Sequence, residues 1–190
     1  MPRFDLVAGD PALELVNTVA WRGDPARAVD RLDGFPALVA WAQQTGLVGA
    51  PVAARLRGGD AVVEQVRALR EDLHAVLGAV VDRREPEAEA LRALHGRIVA
   101  ALGAASPRPA LPLEWEVDVA RGADLPHALA LAALRLLRSP EATRVGRCSD
   151  ATCGWLYLDH SRNRSRRWCS SADCGNRERV RRHHARAAAG

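Results

Sequence analysis

The residues best suited to chemistry are four cysteines, Cys148, Cys153, Cys169 and Cys174. They form two Cys-x4-Cys pairs with fifteen residues between them, and the chain has no other cysteine. Two thiolates a few residues apart can close on one side of a metal ion, and a second pair completes a tetrahedron. Zn2+ accepts that arrangement without strain, because its filled d shell imposes no geometry of its own. Four thiolates leave no open coordination position, so the expected ion is a single structural Zn2+ and not a catalytic one. The x4 spacing is wider than the commoner Cys-x2-Cys. It leaves open ligand sets that use His160, His183 or His184, and also a redox dithiol pair or an iron–sulfur site.

The surroundings of these cysteines are basic. Residues 141–190 hold eleven Arg against five acids, a net of +6, whereas the first 140 residues carry a net of −2. Every basic residue other than histidine is Arg; a GC-rich genome is the plain cause. A basic tail on a near-neutral body is the footprint of a polyanion-binding module. Candidate nucleic-acid contacts fall into two groups: Arg162, Arg164, Arg166 and Arg167 after the second cysteine, and Arg179, Arg181, Arg182 and Arg186 after the fourth. Guanidinium groups grip phosphate bidentately and can read guanine in the major groove. Trp168, Asn176 and Arg177 lie so near the cysteines in sequence that a supporting role around the metal is expected of them, Trp168 by packing and Asn176 and Arg177 as helix caps or thiolate hydrogen-bond donors.

Trp168-Cys169, the tetrad Cys174-Gly175-Asn176-Arg177 and the earlier Cys-x4-Cys resemble the CGNR zinc-finger family of bacterial proteins. In that family a treble-clef-like finger follows an N-terminal ABATE domain, and the proteins are regarded as candidate transcription regulators. The N-terminal part of the resemblance rests on Leu13-Glu14-Leu15-Val16-Asn17-Thr18 and Leu38-Val39-Ala40-Trp41. The resemblance covers residues 144 to 186 most specifically. It implies a DNA-binding finger and an N-terminal part that senses a ligand or mediates self-association.

The elements that must position these residues can be read from pattern. In the finger, Gly154–Asp159 is expected as a strand, His160–Asn163 as a turn, and Ser165–Trp168 as a return strand between the two cysteine pairs. Trp155, Tyr157 and Trp168 would pack around the metal. A helix is expected from Gly175 to about Ala188, with Cys174 at its start, where the dipole favours a thiolate, and with Val180 and Ala187 turned inward. Some forty residues with few aliphatic side chains are too few to fold on their own core. Structural zinc supplies on the order of 10–16 kcal/mol in finger peptides, enough to fix such a segment.

Upstream, Phe4–Ala8 reads as a short strand. Asp10-Pro11 suits the cap and first position of a helix through Leu13, Val16, Val19 and Ala20, with Asn17 and Thr18 as an ordinary polar edge. A second helix is expected from Phe35 to Thr45, ended by Gly46. Val62, Val66, Leu69, Leu73, Val76 and Val80 repeat at helical spacing after Asp60 and predict a long amphipathic helix. Its antiparallel neighbour would run through Leu91, Leu94, Ile98 and Leu102. Prolines 107, 109 and 112 break the pattern. Leu113, Trp115, Val117 and Val119 then alternate with acids as a half-buried strand. A last helix through Leu129, Ala132, Ala133 and Leu136 stops at Ser139-Pro140, and the boundary to the finger is placed near residues 138–146.

The expected fold class is therefore α+β: a predominantly helical domain with a few strands over residues 1–140, then a small treble-clef-like zinc finger over 144–188. Met1–Asp5 lacks the apolar run of a signal peptide, and the longest apolar stretch is too short to span a bilayer. A cytoplasmic protein is expected, where clustered thiols favour metal over disulfide. No phosphate-binding glycine loop, His-Glu-x-x-His helix or nucleophile elbow is visible, so an enzyme is not expected. The leading expectation is a DNA-binding transcription regulator with duplex DNA as partner. The alternatives are a zinc-stabilised protein-interaction module docking on an acidic partner, or an RNA-binding module that stacks bases on Trp155 and Tyr157. A small-molecule effector and homo-oligomerisation stay open.

Overall fold

The computed structural model describes residues 3–187. Residues 11–138 form a helical assembly around one largely buried helix, Leu125–Arg138. Helix α1 (Pro11–Val16) starts as its sequence requires, with Asp10 accepting from the Ala12 amide at 2.8 Å and Pro11 at the first position. It stops at Val16, earlier than its apolar pattern suggests. Val19–Ala20 (β1) instead pairs antiparallel with Val29–Asp30 (β2). Residues 4–8 form no strand. Side chains take several amides here: Gln44 accepts from Phe4, and the buried Glu14 carboxylate accepts from Val7, Ala8 and the following Gly9.

Helix α2 (Phe35–Gln44) matches expectation and ends at Gly46, which takes φ 75°. A short α3 (Ala50–Ala53) leads to α4 (Asp60–Val81), the long amphipathic helix. Its stripe buries Val63, Val66, Leu69, Leu73, Val76 and Leu77, while Val80 at the end is 56% exposed. Arg70 lies inside this stripe. Its guanidinium is buried because Asp30 takes both Nη atoms at 2.7 Å and the Thr18 hydroxyl accepts from Nη1 at 3.0 Å. A buried charge persists only when paired in this way. Helix α5 (Ala88–Gly103) packs beside α4, and Arg97 pairs with Asp72 across the two at 2.7 Å.

The expected strand through 113–119 shrinks to a ribbon, Trp115–Glu116 (β4) against Ser106–Pro107 (β3). The prolines at 107, 109 and 112 lack donors and limit the pairing, and the ribbon lies against α6 (Leu125–Arg138), which also touches α1, α4 and α5. Leu113 and Trp115 are left 54% and 42% exposed. A 3-10 turn over Pro140–Arg144 connects α6 to the last segment.

That segment holds β5 (Val145–Arg147), β6 (Leu156–Leu158) and α7 (Cys174–Ala187). Strand β6 pairs antiparallel with β5, which precedes it. The hairpin therefore encloses the first cysteine pair and does not lie between the two pairs; Ser165–Trp168 is not a strand. The reason lies in the core. Leu156 and Leu158 are buried in the same apolar cluster as α1, α4 and α6, so β6 faces the helices. Architecture and class are those expected, mainly helical with few short strands and a four-cysteine finger. Among the described residues no helix is long and apolar enough to cross a membrane.

Candidate metal centre and basic surface

Cys148 and Cys153 sit at the turn of the β5–β6 hairpin, Cys169 follows the return of the chain, and Cys174 opens α7. All four are buried, and their Sγ atoms lie within 4.8 Å of one another, with Cys153–Cys169 at 3.7 Å and Cys169–Cys174 at 3.4 Å. A tetrahedral ion with Zn–S bonds of about 2.3 Å requires sulfurs about 3.8 Å apart. The donor set therefore fits one Zn2+. No histidine joins the cluster; His183 and His184 face each other on the exposed part of α7. Electrostatics give the same answer. Hydrogen bonding from Cys153 and Cys169 favours a thiolate at Cys148, and that thiolate pushes Cys153 and Cys169 up, so all four ionise together only around a cation.

Apolar side chains seal the sulfurs. Trp155 and Tyr157 are buried against them, with Val7, Trp21 and Trp168 at the edge, as expected of the aromatic residues of the finger. The Trp155 indole donates to the Val19 carbonyl at 2.7 Å, and the Tyr157 hydroxyl donates to the Arg166 carbonyl at 2.6 Å. Gly175 has a packing cause: a Cβ there would meet the Trp168 ring at 3.2 Å.

Arg177 lies against a cysteine sulfur. Its Nη2 donates to Cys174 Sγ at 2.8 Å, Nη1 to Asp173 at 2.9 Å and Nε to Asp150 at 3.2 Å. Asp150 is a site residue that sequence reading missed. It is buried, accepts from the Thr152 amide and hydroxyl at 3.2 and 2.8 Å, and faces Arg181 at 3.3 Å. Burial raises its pKa, but these donors outweigh burial and hold it below the usual carboxylate range. Its place two residues after Cys148, with Thr two residues further on, is the pattern of an Asx turn and was the available signal. Asn176 departs from expectation: it is exposed, and its side chain accepts only a long bond from Arg179 at 3.4 Å, away from the sulfurs.

The candidate nucleic-acid arginines do not form one set. Arg166 turns inward and donates to the carbonyls of Trp168, Leu158, Val7 and Cys169 while lying 4.3 Å over the Tyr157 ring. Its donors are consumed by the fold, so it leaves the surface group. Arg162, Arg164 and Arg167 are exposed, with Arg167 over the Trp168 ring at 5.4 Å. On α7, Arg181 and Arg182 share Glu178, Arg179 reaches the Ser171 carbonyl, and Arg186 has no ion pair among the described residues. Every residue from Arg179 to Ala187 is exposed. Val180 is thus not inward; at 47% exposure it lines a cavity beside Trp21.

A family model described as "Putative stress-induced transcription regulator", ABATE, matches residues 9–140, and a CGNR zinc-finger model matches residues 144–187. The chain belongs to the ABATE family and ends in a CGNR zinc finger. Both are of regulator or zinc-finger type and neither is an enzyme family. No curated protein matches the chain. In the CGNR tetrad, Cys174 belongs to the four-cysteine cluster, Gly175 packs against Trp168, Arg177 reaches the Cys174 sulfur, and Asn176 is exposed. In the ABATE region, Glu14 ties down residues 7–9, and Asn17 reaches the finger, with Nδ2 donating to the Leu156 carbonyl at 2.8 Å. These two lie in the segment Leu13–Thr18 that carries the N-terminal resemblance.

Proposed function

We propose that this protein is a transcription regulator that binds duplex DNA through its finger, with Cys148, Cys153, Cys169 and Cys174 holding one structural Zn2+. The observation that carries the reading is α7. It is anchored at its first turn by Cys174 and Arg177, and every residue from Arg179 to Ala187 is exposed, with Arg179, Arg182 and Arg186 sharing one face by their i, i+3, i+7 spacing. An exposed helix of this width fits the major groove of B-DNA. Arg162, Arg164 and Arg167 on the loop before it would contact flanking phosphates. The residues upstream of the finger then serve regulation. A surface cavity of about 570 Å3 between Leu113, Trp115, Leu131, Leu134 and Arg135 is of the size that takes a small-molecule effector.

The test is binding of the zinc-loaded full chain to random duplex DNA, followed as a function of salt. The affinity should fall steeply with salt, and Arg164, Arg167 and Arg182 changed together to Ala should lower both affinity and slope, by about one unit of slope per lost phosphate contact. Unchanged affinity and slope in that variant would show the assigned surface to be wrong. Salt-resistant self-association with no DNA binding would instead identify the finger as a protein-interaction module.

A further inference from the structure

Trp21 takes a left-handed backbone, φ 57°, which a bulky residue adopts only when its surroundings enforce it. The enforcing contact is with the first cysteine turn of the finger. The Arg22 and Gly23 amides donate to the carbonyls of Cys153 and Thr152, both at 3.2 Å. The two backbones lie so close that a Cβ on Gly23 would fall 1.8 Å from the Ala151 oxygen. This strained turn delivers the Trp21 ring to α7, where the Arg177 guanidinium lies 4.4 Å from its centroid.

The same ring holds a second arginine. Arg27, from the segment between β1 and β2, stacks 3.6 Å from the Trp21 centroid. It is exposed and has no carboxylate partner among the described residues, and it lines one cavity with Asn176, Val180 and Arg181 of α7. Stacking on an indole fixes the flexible stem of an arginine while leaving the edge of its guanidinium fork free, which suits a phosphate.

We propose that Arg27, positioned by Trp21, is a phosphate contact for the duplex that α7 engages, so that the DNA surface spans the finger and the segment 21–31 of the ABATE region. This rests on the reading of the finger as a DNA-binding element. A phosphate contact on a further segment, outside the finger, adds to those of α7 and its preceding loop in fixing the register and orientation of a duplex.

The experiment uses the zinc-loaded full chain and duplex DNA. Arg27→Ala should weaken binding about three- to tenfold near 0.1 M salt and lower the salt slope by about one unit, with Arg27→Glu weaker still. Arg92→Ala, an exposed arginine on α5, serves as the control and should change neither. A photo-crosslinking side chain placed at the exposed Ala28 should label the DNA, which reads proximity independently of any effect on folding. Wild-type affinity and slope in both Arg27 variants, or no crosslink from position 28, would overturn the proposal while leaving finger binding intact. Absence of DNA binding by the unaltered protein would overturn the underlying reading as well.

Discussion

Asn17 hydrogen-bonds the main chain of Leu156 in both directions, its Nδ2 donating to the carbonyl at 2.8 Å and its Oδ1 accepting from the amide at 3.0 Å. The side chain thus takes the place of a neighbouring strand along β6, across 139 residues of sequence. All these atoms are buried, so removing the amide leaves an N–H and a C=O without water or partner. Asn17→Ala should destabilise the protein by about 2–4 kcal/mol, since each orphaned buried group costs about 1–3 kcal/mol. Urea unfolding followed by circular dichroism measures this. A loss below about 0.5 kcal/mol would mean the contact is not maintained in solution.

The finger leans on the helices through more than Asn17. Leu156 and Leu158 are in the main core, Trp155 donates to Val19, and the first cysteine turn lies against Arg22 and Gly23. A peptide of residues 144–190 loses all of these. It should hold Zn2+ at least tenfold more weakly than the full chain in competition with a chromogenic chelator. Stripping zinc from the full chain should abolish the helical signal of α7 and leave that of α4 and α6, whose packing uses no sulfur. Equal zinc affinity in peptide and full chain would show that the metal alone organises the finger.

Arg177 joins Cys174, Asp173, Asp150 and Trp21 in one guanidinium. Its loss removes the donor to a sulfur and leaves the buried Asp150 carboxylate with Thr152 and Arg181 alone. Arg177→Ala should weaken zinc binding by about 10–100-fold, the usual effect of removing an outer partner of a metal ligand. Arg177→Lys keeps the charge but not the fork and should recover only part of it. Zinc release kinetics with a chelator in excess would distinguish the two variants.

His74, on the face of α4 toward the finger, has a buried Nε2 with no hydrogen-bond partner. Burial first, then the charges of Arg22 and Arg147, push its pKa down to about 4, against the opposing pull of Glu71 and Asp82. The unfolded chain takes up the proton at a higher pH than the folded one. The stability tied to this group is therefore complete above about pH 6.5 and is lost as pH falls toward 4. Between pH 7 and pH 5 it should cost about 2 kcal/mol. His74→Leu should flatten that part of the pH profile, read as the difference between the two proteins so that acid release of zinc cancels. Parallel profiles would show that His74 is hydrated in solution.

The sequence by itself determined what local rules can encode. The four cysteines announced a metal centre because thiolates need neighbours of their own kind. Asp10-Pro11, the α4 stripe and Ser139-Pro140 set helix ends and faces through capping, periodicity and missing donors. Tertiary structure decided the rest, because burial chooses among residues that local pattern leaves equivalent. Arg162 and Arg166 read alike in sequence, yet Arg166 meets four main-chain carbonyls while Arg162 is exposed. Asn17 was indistinguishable from a solvated edge until β6 was laid beside it. The hairpin partner of β6 was likewise settled by where Leu156 and Leu158 could be buried, a long-range apolar term with no counterpart in the spacing of the cysteines.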